Sequence, residues 1–291
     1  MRVLICASVP LSAESAYWHW LKVGTEADGH QVVPLDVLGL QSLYGPSATE
    51  RLVLQAASAY QVNVALILAD APISVPLLAR LRQLGVVLVR LRDDDGRLTD
   101  PVTTATLRAS ARLDRHCDLV VTCRRGVPAQ FAERGWPPPS YLPMPFSAVT
   151  LAGGTQPLRP VVRFSDAPGV RAGVLSNRRV QLVRALLAAG LPVELAHPDW
   201  RLVPGCAHLV ADPLRLSAVH AAMASATVNV CLAADGAAET WPSFQLSCLQ
   251  VAATGGMLLT EPCDEFGDFF IDGLEALTVR SPAEGVAQAR A

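Results

Sequence analysis

Short apolar runs, each followed by a longer amphipathic stretch, recur along both halves of this 291-residue chain. That alternation constrains the fold more than any other feature. A strand covered on both faces reads as an unbroken run of Val, Ile and Leu, and helices between such runs return the chain to lay the next strand parallel to the last. In the first half the spacing predicts strands at 2–7, 31–37, 63–69, 86–91 and 117–123. Helices are predicted at 15–30, 48–60, 75–85 and roughly 102–115, with Gly29 and Gly85 closing two of them. In the second half, strands at 160–166, 192–197, 228–233 and 256–261 alternate with helices at 176–190, 214–226 and 243–255. The predicted class is α/β, with two doubly wound, Rossmann-like domains built on parallel sheets.

Between the halves proline takes over. "GWPPPSYLPMPFS" (135–147) holds five prolines, and "LAGGTQPLRP" (151–160) adds glycines and two more. Such segments are stiff, extended and poor at continuing helix or sheet. The expected organisation is a first domain at 1–147, a linker at 148–160 and a second domain at 161–291. The carboxyl ends of the two sheets would wall a cleft, and the loops at 8–15, 40–47, 70–75 and 92–100 would line the first domain's side of it.

Composition narrows the partners. A net charge of −2 with 17% charged residues gives no reason to expect nucleic acid or an anionic membrane surface. No window approaches the ~18 uninterrupted apolar residues of a spanning helix, and no leader pattern opens the chain, so a cytoplasmic protein with no transmembrane segment is expected. The seven cysteines are odd in number and lack C-x-x-C spacing, which argues against a disulfide framework or a zinc site. Cys6, Cys117, Cys231 and Cys248 fall in apolar patterns where thiols pack as small hydrophobes.

Three stretches could carry chemistry. In "SFQLSCLQVAATGGMLLTEP" (243–262), Ser243 is a sound N-cap for a helix running to Gly255. Free amides and the dipole at that helix start favour an anion such as a diphosphate, with Phe244 beside it. Gly255 and Gly256 would end the helix and let the next strand approach closely. The helix is apolar nearly all round, so Gln250 needs either a backbone partner or a ligand. The second stretch is "SNRRVQLV", which puts Arg178 and Arg179 in a helix's first turn, an unfavourable place for cations unless something negative lies near. Guanidinium forks suit phosphate oxygens, and a solvated helix start is the competing reading. Asp199 and Trp200, after the strand that follows, would face the same cleft, with Trp200 able to stack on a ring or to sit at the edge of the core. The third stretch, "RDDDGR", sets Asp93, Asp94 and Asp95 just after a parallel strand. Three successive carboxylates diverge and define no metal site; one could act as a general base, or all three could simply be solvated. No P-loop, H-E-x-x-H or G-x-S-x-G pattern occurs, and "CASVPLSAES" after the first strand has no glycine, which argues against a dinucleotide oxidoreductase.

Taken in order, four blocks resemble the CgeB-like glycosyltransferases, bacterial proteins of the two-domain GT-B fold. They are "LADAPISVPLLARLRQLGVVLVRLRDDD", "ARLDRHCDLVVTCRRGVPAQFAERGWPPPSYLPMPFS", "SNRRVQLVRALLAAGLPVELAHPDW" and "FQLSCLQVAATGGMLLTEPCDEFGDFFIDGLEALTVRSPAEGV". The resemblance spans about residues 60–286. It implies transfer of a sugar from a nucleotide-sugar donor, held by the second domain, to an acceptor hydroxyl. No metal and no cofactor beyond the donor co-substrate would be required. It places Arg178 or Arg179 near the donor phosphates, Ser243 and Phe244 by the phosphate-facing loop, and Gln250 where the family has a ribose-contacting glutamate. Asp272 and Gly273 match its "dG" turn. The chain departs from the family at Gln250, at Ser247 where an arginine is usual, and at Asp166, in a turn that the family writes "F-x-G-S" and this chain begins Phe164, Ser165, Asp166. Those departures keep a second class open, a non-catalytic module binding a nucleotide, glycan or protein. An epimerase or hydrolase on the same architecture is a third.

Overall fold

The computed structural model describes residues 1–8, 17–68, 71–92, 111–143, 157–168, 177–212, 216–232 and 244–291. Two compact units divide the chain, Met1–Val149 and Thr150–Ala291. No described helix is long and apolar enough to cross a membrane.

The first unit carries β1 (Arg2–Ala7), α1 (Tyr17–Ala27), β2 (Gln31–Asp36), α2 (Val37–Tyr44), α3 (Pro46–Ala59), β3 (Val64–Leu68), α4 (Val75–Gln83), β4 (Val87–Arg92), β5 (Leu119–Thr122), α5 (Val127–Glu133) and β6 (Ser140–Tyr141). Its six strands lie in the order β2-β1-β3-β4-β5-β6, and each registered pair is parallel. Strand side chains alternate between faces. Leu4, Cys6, Ala65, Ile67 and Leu88 therefore meet Val53, Leu77, Leu78 and Leu81 of α3 and α4 on one face. Val3, Ile5, Ala7, Leu68 and Leu91 meet Trp18 of α1 on the other.

The second unit carries β7 (Arg159–Phe164), α6 (Arg178–Ala188), β8 (Val193–Leu195), α7 (Leu216–Ser225), β9 (Ala226–Cys231), α8 (Leu246–Ala253), β10 (Leu258–Thr260), β11 (Leu277–Thr278) and α9 (Pro282–Arg290). Its sheet runs β11-β10-β9-β7-β8, again parallel. Val162, Phe164, Val193, Leu195, Val228, Val230 and Leu259 form one face, buried against Val180, Leu182, Val183 and Leu186 of α6. The α/β class and two doubly wound parallel sheets are as the alternation predicts.

Several boundaries differ. The expected 40–47 loop is helical on both sides of Gly45, because Asp36 ends β2 and at once caps α2, its carboxylate accepting from the Gly39 amide at 2.9 Å. Helices α5 and α9 and the two-residue strands β6 and β11 were not anticipated. β7 starts at Arg159, inside the stretch assigned to the linker.

Candidate functional site

In open parallel sheets, ligands bind outside the carboxyl ends of the strands, where the connections diverge to opposite sides. In the second unit that point lies between β7 and β9: β8 follows β7 to one side, and β9 and β10 build the other. The residues just past these strand ends are Ser165 to Pro168 after β7, Leu232 after β9 and Glu261 after β10.

Helix α6 points its start at this edge. Asn177 is the N-cap, its Oδ1 accepting from the Val180 amide at 2.9 Å while its Nδ2 donates to the Pro168 carbonyl. The two arginines that follow have different fates. Successive helical residues diverge by about 100°, so neighbours cannot share an environment. Arg179 is buried, 4% exposed. Its Nε donates to the Leu232 carbonyl at 2.9 Å, its other nitrogens reach the Leu232 and Ala167 carbonyls, and Nη2 lies 3.7 Å from Asp166 Oδ2. This guanidinium ties the tails of β7 and β9 together across the divergence point. The Arg178 side chain is 50% exposed and is steadied by Glu261, whose Oε1 accepts from Nη1 at 3.1 Å. Glu261 is itself nearly buried. Of the pair, Arg178 presents its charge outward at the strand ends, while Arg179 is spent on backbone carbonyls.

Trp200 corrects the expectation of a stacking platform. It is wholly buried, its ring set edge-on to Phe164 at 6.0 Å between centroids, and its indole N–H donates to the Asp166 carbonyl at 2.9 Å. The loop after β8 turns this ring inward because α6 and β7 offer it an apolar pocket, and the neighbouring Asp199 faces solvent. Phe244 is likewise buried, stacked on Phe269 at 4.5 Å and tilted against Phe270. It anchors the approach to α8.

Helix α8 starts later than expected. Gln245, not Ser243, occupies the N-cap position of α8, and its side chain makes no capping hydrogen bond. Ser243 lies outside the described residues, as do Asp93, Asp94 and Asp95. The first turn of α8 is met instead by Asp166: Ser247 Oγ donates to Asp166 Oδ2 at 3.5 Å. Burial pushes the Asp166 carboxyl above its ordinary value, opposed by Arg179, by the Ser247 hydroxyl and by His197. Gln250 is half-buried on α8, and among the described residues its amide group has no hydrogen-bond partner. At the far end, Gly255 takes a positive φ of 75°. A Cβ at Gly256 would lie 2.8 Å from both the Asn229 amide nitrogen and the Met223 carbonyl. The double glycine is therefore required by close approach to β9 and the end of α7, as its position before a strand suggests. Asp272 accepts from the Thr278 amide and hydroxyl at 3.0 and 2.7 Å, so the "dG" turn braces β11.

The sulfurs under α8 are packing groups. Cys231 and Cys248 are fully buried. The Cys248 hydrogen bond and burial hold the Cys231 thiol well above its usual range, which leaves it inert as a nucleophile. All seven cysteines are free thiols.

One charged cluster has only a faint signature in the sequence. In the first unit, Leu88, Arg90 and Arg92 share a face of β4. Both arginines turn to Asp114, at 3.2 Å from Arg90 Nε and 2.6 Å from Arg92 Nη1. Arg92 also lies over the Phe131 ring, 4.9 Å from its centroid. The alternating arginines of "VRLR" were the available signal. This cluster stands at the strand end from which the Asp93–Asp95 segment departs.

No known family's sequence profile and no curated protein matches the chain. Solved structures do. HepE of Anabaena in complex with UDP-glucose matches with a TM-score of 0.60 at 14% identity, over 100% of this chain and 88% of that one. A sucrose-phosphate synthase from Thermosynechococcus elongatus gives 0.60 at 13%, with the same coverage. A UDP-N-acetylglucosamine 2-epimerase from Listeria monocytogenes gives 0.55 at 11%, over 99% and 87%. At these identities the likeness defines the fold, the pair of Rossmann-type α/β units of GT-B glycosyltransferases.

Proposed function

We propose that this chain is a metal-independent glycosyltransferase of the kind the CgeB-like proteins represent, taking a nucleotide-sugar donor at the carboxyl edge of its second sheet. The observation that carries the reading is the half-exposed Arg178 guanidinium, held by the buried Glu261 just past the end of β10 at the carboxyl edge of the second sheet. Cation and helix amides together suit a diphosphate, and a UDP-sugar is bound in one of the matching GT-B structures.

In the reaction, an acceptor hydroxyl attacks the anomeric carbon, the bond from that carbon to the phosphate oxygen breaks, and the nucleoside diphosphate departs. Arg178 and the α8 amides stabilise the negative charge that develops on the departing oxygens, a contribution of order 10²–10³ in rate. One of Asp93, Asp94 and Asp95 takes the hydroxyl proton. Gln250, with an amide that can both donate and accept, meets a donor hydroxyl as a neutral group.

The test is a thermal-shift series with UDP-glucose, GDP-mannose and dTDP-glucose, each with and without a chelator, followed by assay of nucleotide release. At a concentration near 100 Kd a true donor adds about 2.7 kcal/mol of stability. Stabilisation by one donor, indifferent to the chelator and accompanied by slow hydrolysis, is the expected result. The competing reading, a binding module without catalysis, draws on Asp166, a carboxylate near the proposed diphosphate site. Stabilisation with no turnover under any condition would favour it, and indifference to every nucleotide would end the donor-site reading.

A further inference from the structure

Asp166 lies at the carboxyl edge of the second sheet, where open parallel sheets bind ligands. It follows β7 by two residues, at the point where the strand connections diverge, and meets the first turn of α8 through the Ser247 hydroxyl at 3.5 Å. Its side chain is 23% exposed, so a ligand at the strand ends can reach it, whereas that of Arg179 is 5% exposed and bound to two backbone carbonyls. Every described element packed around the carboxylate contributes to its surroundings. Arg179 of α6 is 3.7 Å away, Ser247 of α8 donates to it, and His197 beyond β8 and the Cys231 thiol of β9 complete the set. Among the described residues, the guanidinium within ion-pair distance of this carboxylate is that of Arg179. A diphosphate arriving beside that pair adds at least two negative charges to a partly dry site. Like charges at close range force one of the anions to take a proton.

We propose that Asp166 is a proton-carrying residue of the donor site, binding one proton as the diphosphate enters and turning from a competing anion into a hydrogen-bond donor toward a phosphate oxygen. The proton comes from solvent and returns there when the nucleoside diphosphate leaves. The inference rests on the donor-site reading above and adds to it a specificity device. A turn that would repel diphosphates accepts them only with a proton, which links donor affinity to pH. Burial favours the neutral acid, the same direction as the uptake proposed.

The experiment is calorimetric titration of the full chain with UDP-glucose, whose esterified diphosphate does not itself titrate near neutrality. It is run from about pH 5 to about pH 8.5 in paired buffers of different ionisation heat. Proton uptake makes the observed heat depend on the buffer and weakens binding by up to about tenfold per pH unit as pH rises. Asp166→Asn, an amide that donates at every pH, should bind more tightly than wild type at the alkaline end, with a flat profile. Comparison with His197→Gln separates the neighbouring imidazole. Wild-type binding with no buffer dependence overturns the proposal while leaving the donor site intact. Uptake that persists in Asp166→Asn and vanishes in His197→Gln assigns the proton to the histidine and also overturns it. Failure of UDP-glucose to bind any of the three proteins at any pH, with GDP-mannose and dTDP-glucose equally inert in the thermal-shift series, removes the proposal together with the donor-site reading. Because the buffer test uses the unmodified chain, it stands even if a variant folds poorly.

Discussion

The carboxyl edges of the two sheets hold similar inventories, arginines set against a carboxylate, and use them in opposite ways. In the first unit Arg90, Arg92 and Asp114 are sealed, with side-chain exposures of 3%, 1% and 3%. In the second unit the Arg178 side chain keeps half its surface in solvent while Glu261 holds it from below. A charge buried on every side is committed to the fold, because removing it strands its partner in a medium that cannot solvate it. A half-exposed charge braced by a carboxylate can meet a ligand at little cost in rearrangement. Two arginines in neighbouring sequence positions show the same division within one turn of helix: Arg179 is scaffold and Arg178 is surface.

The comparison can be broken at its sealed end first. Asp114→Asn leaves two buried guanidinium groups against a neutral amide and should cost about 3–5 kcal/mol. A urea titration showing a loss below about 1 kcal/mol would mean the cluster is wetter than its geometry indicates. Next comes the division between the two arginines. Arg179→Met strips the Leu232 and Ala167 carbonyls of their donor and should destabilise by about 2–3 kcal/mol. Arg178→Ala, which takes a half-exposed partner from the nearly buried Glu261, should cost less, about 1–2 kcal/mol. Equal losses in the two variants would erase the distinction. The smallest effect concerns His220 of α7, nearly buried, whose imidazole is held below its ordinary value by desolvation. In the unfolded chain this group takes a proton as pH falls through about 6.5, while in the folded chain it resists. Stability should therefore decline below that pH, and His220→Leu should flatten the decline, as followed by thermal unfolding across the acid range.

Most of the architecture was legible because parallel strands covered on both faces need no polar alternation, and glycines with positive φ at 29, 85, 190 and 255 mark helix ends by backbone geometry alone. Helix α2 was not, because it begins without a loop, on the residue after a strand, and carries Gly39 in its first turn. The site was legible as a place more than as a set of contacts. The arginine pair, the helix before the double glycine and the odd aspartate at 166 could all be picked out. Which arginine turns inward depends on helix rotation relative to the sheet, and the burial of Trp200 depends on a pocket assembled from α6 and β7. Those are tertiary facts with no local signature. The Asp166–Ser247 contact joins residues 81 apart in sequence, and no spacing rule anticipates it.

The account's central claim is that a donor's diphosphate is met by Arg178 at the carboxyl edge of the second sheet. Titrating UDP-glucose into wild type and Arg178→Ala, with unfolding temperatures measured in parallel, tests it most directly. The account predicts a loss of affinity of about tenfold or more, the worth of a charged hydrogen bond, in a free protein that remains folded. Undiminished affinity in a folded Arg178→Ala protein would contradict it.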